Sequence, residues 1–164
     1  MERNYLNMEK IKKQQTQNWM QMFFEAKSEN ESLARIAVAS FITPLNPTLE
    51  EMEDVKTAIS EAVTNAIIHG YEEGTGTIYI RCRLEGDLLE VEVEDKGIGI
   101  WDIEQAMEPL FTTKPEQERS GMGFSFMEAF MDEVEVTSAL GQGTIVFMKK
   151  KLGTMVWIDG YDEV

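Results

Sequence analysis

Between residues 77 and 94 the chain alternates apolar and polar side chains, breaks once, and alternates again. Ile78, Ile80, Cys82 and Leu84 fall on one face and Tyr79, Arg81 and Arg83 on the other; after Gly86-Asp87, Leu88–Glu94 (LLEVEVE) repeats the pattern. Period-two alternation on both sides of a two-residue Gly/Asp turn specifies a β-hairpin. Its apolar face, Cys82 included, is a core face. The flanking segments have a different period. Ser28 and Glu31 fit a capping box that opens an amphipathic helix to about Phe41, and Pro44 and Pro47 punctuate the loop after it. Thr48 and Glu51 fit a second capping box, opening a long helix to His69 with Gly70 as its C-terminal cap.

Further strands are expected at Trp19–Glu25, Glu133–Thr137 and Thr144–Lys150, with an edge strand at Thr154–Ile158. A short helix is expected over 101–108, a long loop over Pro109–Gly123, and a helix over Phe124–Met131. Helices first, then a hairpin, then a helix and a second hairpin make an α+β fold. It is a two-layer α/β sandwich: one mixed, mainly antiparallel sheet with helices on one face. The expected organisation is an N-terminal extension over 1–17, one domain over 18–152 and an acidic tail over 153–164.

Composition narrows the function. A net charge of −15 argues against nucleic-acid binding, which needs clustered Lys and Arg on the phosphates. The same charge suits a basic protein partner, and a nucleotide ligand would need a metal ion with local cations or backbone N–H groups. No apolar run approaches a membrane span, the N-terminus has no secretory core, and the single cysteine gives no internal disulfide, so a reducing cytoplasm is expected.

Four local patterns carry chemistry. With Glu61 at 0° on a helical wheel, Ile59, Ala62, Val63, Ala66 and Ile67 share a core arc. Glu61 and Asn65 stack one turn apart outside it, about 40° from each other. A carboxylate and an amide oxygen so placed can hold a metal and accept a proton; a solvated polar face has the same spacing. Asp95-Lys96-Gly97-Ile98-Gly99 ends a strand with a carboxylate able to accept from an exocyclic amine, beside glycines that let a ligand approach; a plain turn is the alternative. Ser120-Gly121-Met122-Gly123 opens a helix and suits an anion, without the Lys-Ser/Thr ending of a P-loop. Between them, Thr112, Thr113, Lys114 and Arg119 supply hydroxyls and cations on a Pro-flanked loop, a lid or a solvated surface.

In their order along the chain, Ser60–Gly70 (SEAVTNAIIHG), Asp95–Gly99 and Arg119–Phe124 (RSGMGF) resemble the N, G1 and G2 boxes of the gyrase/chaperone/histidine-kinase/mismatch-repair ATPase superfamily. Glu31–Phe41 (ESLARIAVASF), Tyr71-Glu72-Glu73 and Pro109–Phe124 (PLFTTKPEQERSGMGF) resemble, more closely, the anti-sigma F factor family of spore-forming bacteria. The likeness covers roughly residues 19–150; the first 17 residues precede where that family's chain normally begins, and the tail from about Gly153 looks unlike its usual ending.

The resemblance implies the Bergerat form of the α/β sandwich, with ATP and Mg2+ as ligands. It implies an anti-sigma factor that sequesters sigma factor F and phosphorylates an anti-anti-sigma protein on serine, working as a homodimer. Glu61 would be the general base, Asn65 the Mg2+ ligand, and Asp95 the reader of the adenine amine. Gly97, Gly99, Gly121 and Gly123 would surround the nucleotide, with Thr112, Thr113, Lys114 and Arg119 in the lid and Thr144 near the adenine. Arg35 would contact both protein partners; unaided by the resemblance, it reads as a surface cation. Competing expectations are a non-catalytic module gated by ATP, a stress-response anti-sigma kinase of the same fold, and the catalytic half of a histidine kinase. The last would need an acceptor histidine, and the only one, His69, lies inside the N box.

Overall fold

A computed structural model describes residues 17–111 and 122–153. In chain order these form β1 (Gln17–Glu25), α1 (Glu29–Ile42), a 3-10 turn (Thr43–Leu45), α2 (Leu49–Asn65), a π turn (Ala66–Gly70), β2 (Thr77–Glu85), β3 (Leu88–Asp95), α3 (Ile103–Met107), α4 (Gly123–Phe130), β4 (Glu133–Ala139) and β5 (Gly143–Lys151). The strands lie in the order β1-β2-β3-β5-β4. Every pairing among the described residues is antiparallel, where a mixed sheet was expected. Both hairpins form as the alternation dictates, and β1 pairs with β2 from Gln17 opposite Glu85 to Glu25 opposite Thr77. The expected strand at Thr154–Ile158 lies outside the described residues.

The inward face of the sheet carries Ile78, Ile80, Cys82, Leu84, Leu89, Val91, Val93, Val146 and Met148, all buried. Helix α2 covers it with Val55, Ala58, Ile59, Ala62 and Val63. Each large aliphatic side chain removed from water there contributes about 1.5–3 kcal/mol. Burial also pushes the Cys82 thiol up to about 12, so it packs as a small apolar group. The opposite face is open. Trp19 and Phe23 on the edge strand are 75% and 70% exposed, and Arg81 bridges Glu92 at 2.9 Å and Glu94 at 2.7 Å.

Two expected helix ends differ. Thr48 forms its capping box with Glu51, accepting from the Glu51 amide at 3.1 Å while the Glu51 carboxylate accepts from the Thr48 amide at 2.8 Å. Ser28 does not. It has helical φ and ψ of −57° and −33°, whereas a capping residue needs extended backbone, and Asn30 ties the entry instead by donating to the Glu25 carbonyl at 2.9 Å. The Glu31 carboxylate turns to the next helix and accepts from Ser60 Oγ at 2.5 Å. Gly70 is likewise not a left-handed cap. The helix widens into the π turn, with the Tyr71 amide bonded to the Ala66 carbonyl at 2.9 Å, and positive φ first appears beyond it, at Glu72 and Glu73.

Candidate functional site

The π turn brings Gly70 against the end of β3. A Cβ on Gly70 would stand 2.8 Å from the Asp95 carboxyl, and one on Gly97 would stand 1.9 Å from the Gly70 carbonyl oxygen. That carbonyl accepts from the Ile98 amide at 2.9 Å. The two glycines therefore seat the loop after β3 directly on the end of the α2 segment. Tyr71 strengthens the seat: its hydroxyl donates to the Thr77 carbonyl at 2.6 Å and accepts from the Lys96 amide at 2.7 Å.

Above this seat lies a cavity of about 330 Å³. Asn65, Asp95, Gly99, Gly123 and Thr144 line it, with Ile98, Trp101, Phe124, Leu140 and Val146 among its apolar walls. Asp95 is 5% exposed, and its carboxylate accepts from the Gly97 amide at 2.8 Å. Burial raises its pKa above the ordinary aspartate value, opposed by backbone hydrogen bonds from Gly97 and Thr144. A buried carboxyl at a cavity floor, with acceptor capacity left over, suits a ligand amine.

At the other end of the cavity, α4 begins with Gly123 over the polar edge of α2. A Cβ there would stand 3.1 Å from both Glu61 Oε2 and Asn65 Oδ1, so the two oxygens converge behind one glycine. Asn65 reaches the cavity wall; Glu61 stands one turn back, meeting the cavity through Gly123. Met122, the residue before α4, supplies no side-chain cap, so among the described residues the leading amides of α4 are left to an anion.

Other expected residues are placed differently. Gly97 packs on Gly70 outside the cavity lining, whereas Gly99, at φ 77°, lines it. Arg35 lies on α1, away from the cavity, with Nε 3.8 Å from Glu31 Oε1 and the exposed side chains of Leu33 and Ile36 nearby in sequence. Thr112, Thr113, Lys114, Arg119 and Gly121 lie outside the described residues. Ser138 is a participant that motif reading missed. It accepts from the Ile100 amide at 2.8 Å, donates to the Gly143 carbonyl at 2.9 Å and lies 2.9 Å from Thr144 Oγ1, tying the glycine loop to the β4–β5 hairpin. Its signal was present in the hairpin register, which sets Ser138 opposite Thr144.

A polar floor, an apolar wall and a helix start face one cavity, as a nucleotide site needs, and residues 24–150 match the model of the histidine kinase-like ATPase domain, which makes this an ATPase domain. An anti-sigma F factor of Clostridium acetobutylicum is 59% identical over 135 residues, 82% of this chain and 94% of that protein. Those of Oceanobacillus iheyensis and Clostridium novyi are 56% and 57% identical over 136 residues, 82% of this chain and 93% and 95% of theirs. The chain belongs to the anti-sigma F factor family of histidine kinase-like ATPase domains. Membership implies that the chain binds ATP. Among the described residues no helix is long and apolar enough to cross a membrane.

Proposed function

We propose that the chain is an ATP-dependent protein serine kinase that binds sigma factor F, and that it phosphorylates an anti-anti-sigma protein in the cytoplasm. The observation that carries this reading is the convergence of Glu61 and Asn65 on Gly123 at the cavity edge, since ATP binding alone requires no carboxylate there. In this reading the adenine amine donates to Asp95, the apolar walls take the base, and the α4 amides meet the phosphates. Glu61 accepts the proton of a seryl hydroxyl as its oxygen bonds to the γ-phosphorus, while the bond to the ADP oxygen breaks.

Among the described residues no group of three or more His, Cys, Asp or Glu side chains could hold a metal. The oxygens available at the site fit Mg2+, which takes one or two protein oxygens and completes its shell with phosphates and water. Asn65 would hold it, and its chemistry is neutralisation of phosphate charge. The lid cations Lys114 and Arg119 would add to that neutralisation.

Transfer of labelled γ-phosphate from Mg-ATP to a cognate anti-anti-sigma protein tests the reading. Transfer to serine, lost in Asn65→Ala, is expected; tight ATP binding without transfer would refute the kinase. One observation favours that second outcome, an ATP-gated sigma-binding module: Glu61 stands outside the cavity wall. Arg35, beside exposed Leu33 and Ile36, would supply part of the partner surface. The open sheet face with Trp19 and Phe23 supports a homodimer, which sedimentation of the wild-type chain would reveal.

A further inference from the structure

Lys150 is nine-tenths buried, a position lysine rarely takes without a purpose. It stands on the inward face of β5. Its ammonium donates to the Phe130 carbonyl at 2.6 Å and lies 3.2 Å from Asp54 Oδ2. Phe130 is the last residue of α4 and Asp54 lies in the second turn of α2. One side chain thus grips both helices whose other parts meet at the site. Along α2, Asn65 lies eleven residues beyond Asp54, about 16 Å at the helical rise; along α4, Gly123 lies seven residues before Phe130, about 10 Å.

The contact at the far end has little tolerance. Gly123 passes over Glu61 and Asn65 with no room for a methyl group at ordinary contact distance. An axial slip or tilt of α4 by a fraction of an ångström would move its leading amides and Gly123 relative to both side chains. Nothing in the apolar packing of Met127 and Met131 fixes that slip sharply, since methionine adapts its shape. A charged hydrogen bond to the helix end does, because it is directional and costly to leave unmade.

We infer that Lys150 is a positioning residue for nucleotide binding, holding α4 in register against α2 through Phe130 and Asp54. The inference rests on the ATP reading of the cavity and adds a residue outside it. The experiment compares Kd for Mg-ATP and Tm in the wild type, Lys150→Arg, Asp54→Asn and the double variant Lys150→Met/Asp54→Leu. Replacing both members of a buried ion pair by apolar groups is often neutral or stabilising, so the double variant separates position from stability. Its expected behaviour is a Tm within a few degrees of wild type with ATP bound about tenfold more weakly. Lys150→Arg is expected to recover most of the affinity.

Wild-type affinity in a folded double variant would overturn the inference. If that variant does not fold, Asp54→Asn decides: an affinity loss of about threefold supports the grip, and unchanged affinity overturns it. A wild-type chain that binds no Mg-ATP would refute the cavity reading itself, and the role of Lys150 with it.

Discussion

Gly97→Ala isolates the cost of the seat between the two glycines. Gly97 is not among the glycines with positive φ, so alanine faces no conformational penalty there, and the whole effect comes from space. The new methyl would stand 1.9 Å from the Gly70 carbonyl oxygen and 2.3 Å from its carbon, both backbone atoms fixed by the π turn. Relief to ordinary contact needs a separation increase of more than 1 Å, which breaks the Ile98 amide bond to Gly70 at 2.9 Å and drags on the Gly97 amide that serves Asp95. Forced overpacking of this kind costs about 3 kcal/mol, and the lost hydrogen bond adds about 1. Reduced entropy of the unfolded chain offsets up to about 1. The net loss is about 3 kcal/mol, a Tm decrease of roughly 6–12 °C for a chain of this size.

Gly141→Ala is the matched control. Gly141 has φ 74°, but a methyl there meets nothing within 4 Å, so its cost is only the left-handed backbone, about 1–2 kcal/mol before the same offset. Urea unfolding at neutral pH, paired with Mg-ATP titration, measures both variants. Gly97→Ala should be clearly the less stable and should lose ATP affinity, while Gly141→Ala stays within roughly 1 kcal/mol of wild type. Equal stability of the two would refute the reasoning from close approach.

Asp95→Asn should abolish ATP binding by calorimetry yet leave neutral-pH stability near or above wild type. The raised pKa of Asp95 marks a folded-state penalty on the charged form, present above that pKa and fading as pH falls toward the ordinary value; a large stability loss at pH 7 would contradict this. Glu94 has the opposite sign. Lys96 first, then Arg81, hold its carboxyl below the usual range against desolvation, so its stabilising contribution is present above the ordinary glutamate pKa and is lost as pH falls through the depressed one. Glu94→Gln should therefore lower Tm at pH 7 and narrow its gap from wild type under acid; a pH-independent gap would count against the ion network. Thr48→Ala, which removes the capping box of α2, should cost about 1 kcal/mol by chemical unfolding, and no change would mean the cap is not stabilising.

The period-two alternation of residues 77–94 and the Thr48–Glu51 box were enough to set the hairpin and the long helix. The 100° wheel placed Glu61 and Asn65 together off the core arc. Motif order placed Asp95, Gly99, Gly123 and Thr144 around one cavity. Ser28 and Gly70 show where local pattern fails. Ser-x-x-Glu and a glycine after a helix are permissive signals, and tertiary contacts outcompeted both: Ser60 claimed the Glu31 carboxylate, and Asp95 with Gly97 claimed the space around Gly70. Tyr71, through its bond to Lys96, and Lys150 were illegible for another reason. Both join segments distant in sequence, and residue spacing within one element carries no record of such a contact.

The π turn makes the length of this helix a fixed quantity. Single-turn π bulges hold one residue more than the regular helix around them, so residues past the bulge are rotated by about 100° from where an uninterrupted helix would aim them. Removing one residue from Ala66–Gly70 would let the turn relax into ordinary α-helix and swing a different residue, with a side chain, toward the Asp95 carboxyl. Insertions and deletions are usually absorbed by the loop that follows a helix; here the loop at 71–76 cannot compensate, because the register is set upstream of it. In any alignment with a chain one residue shorter here, the gap belongs inside the helix.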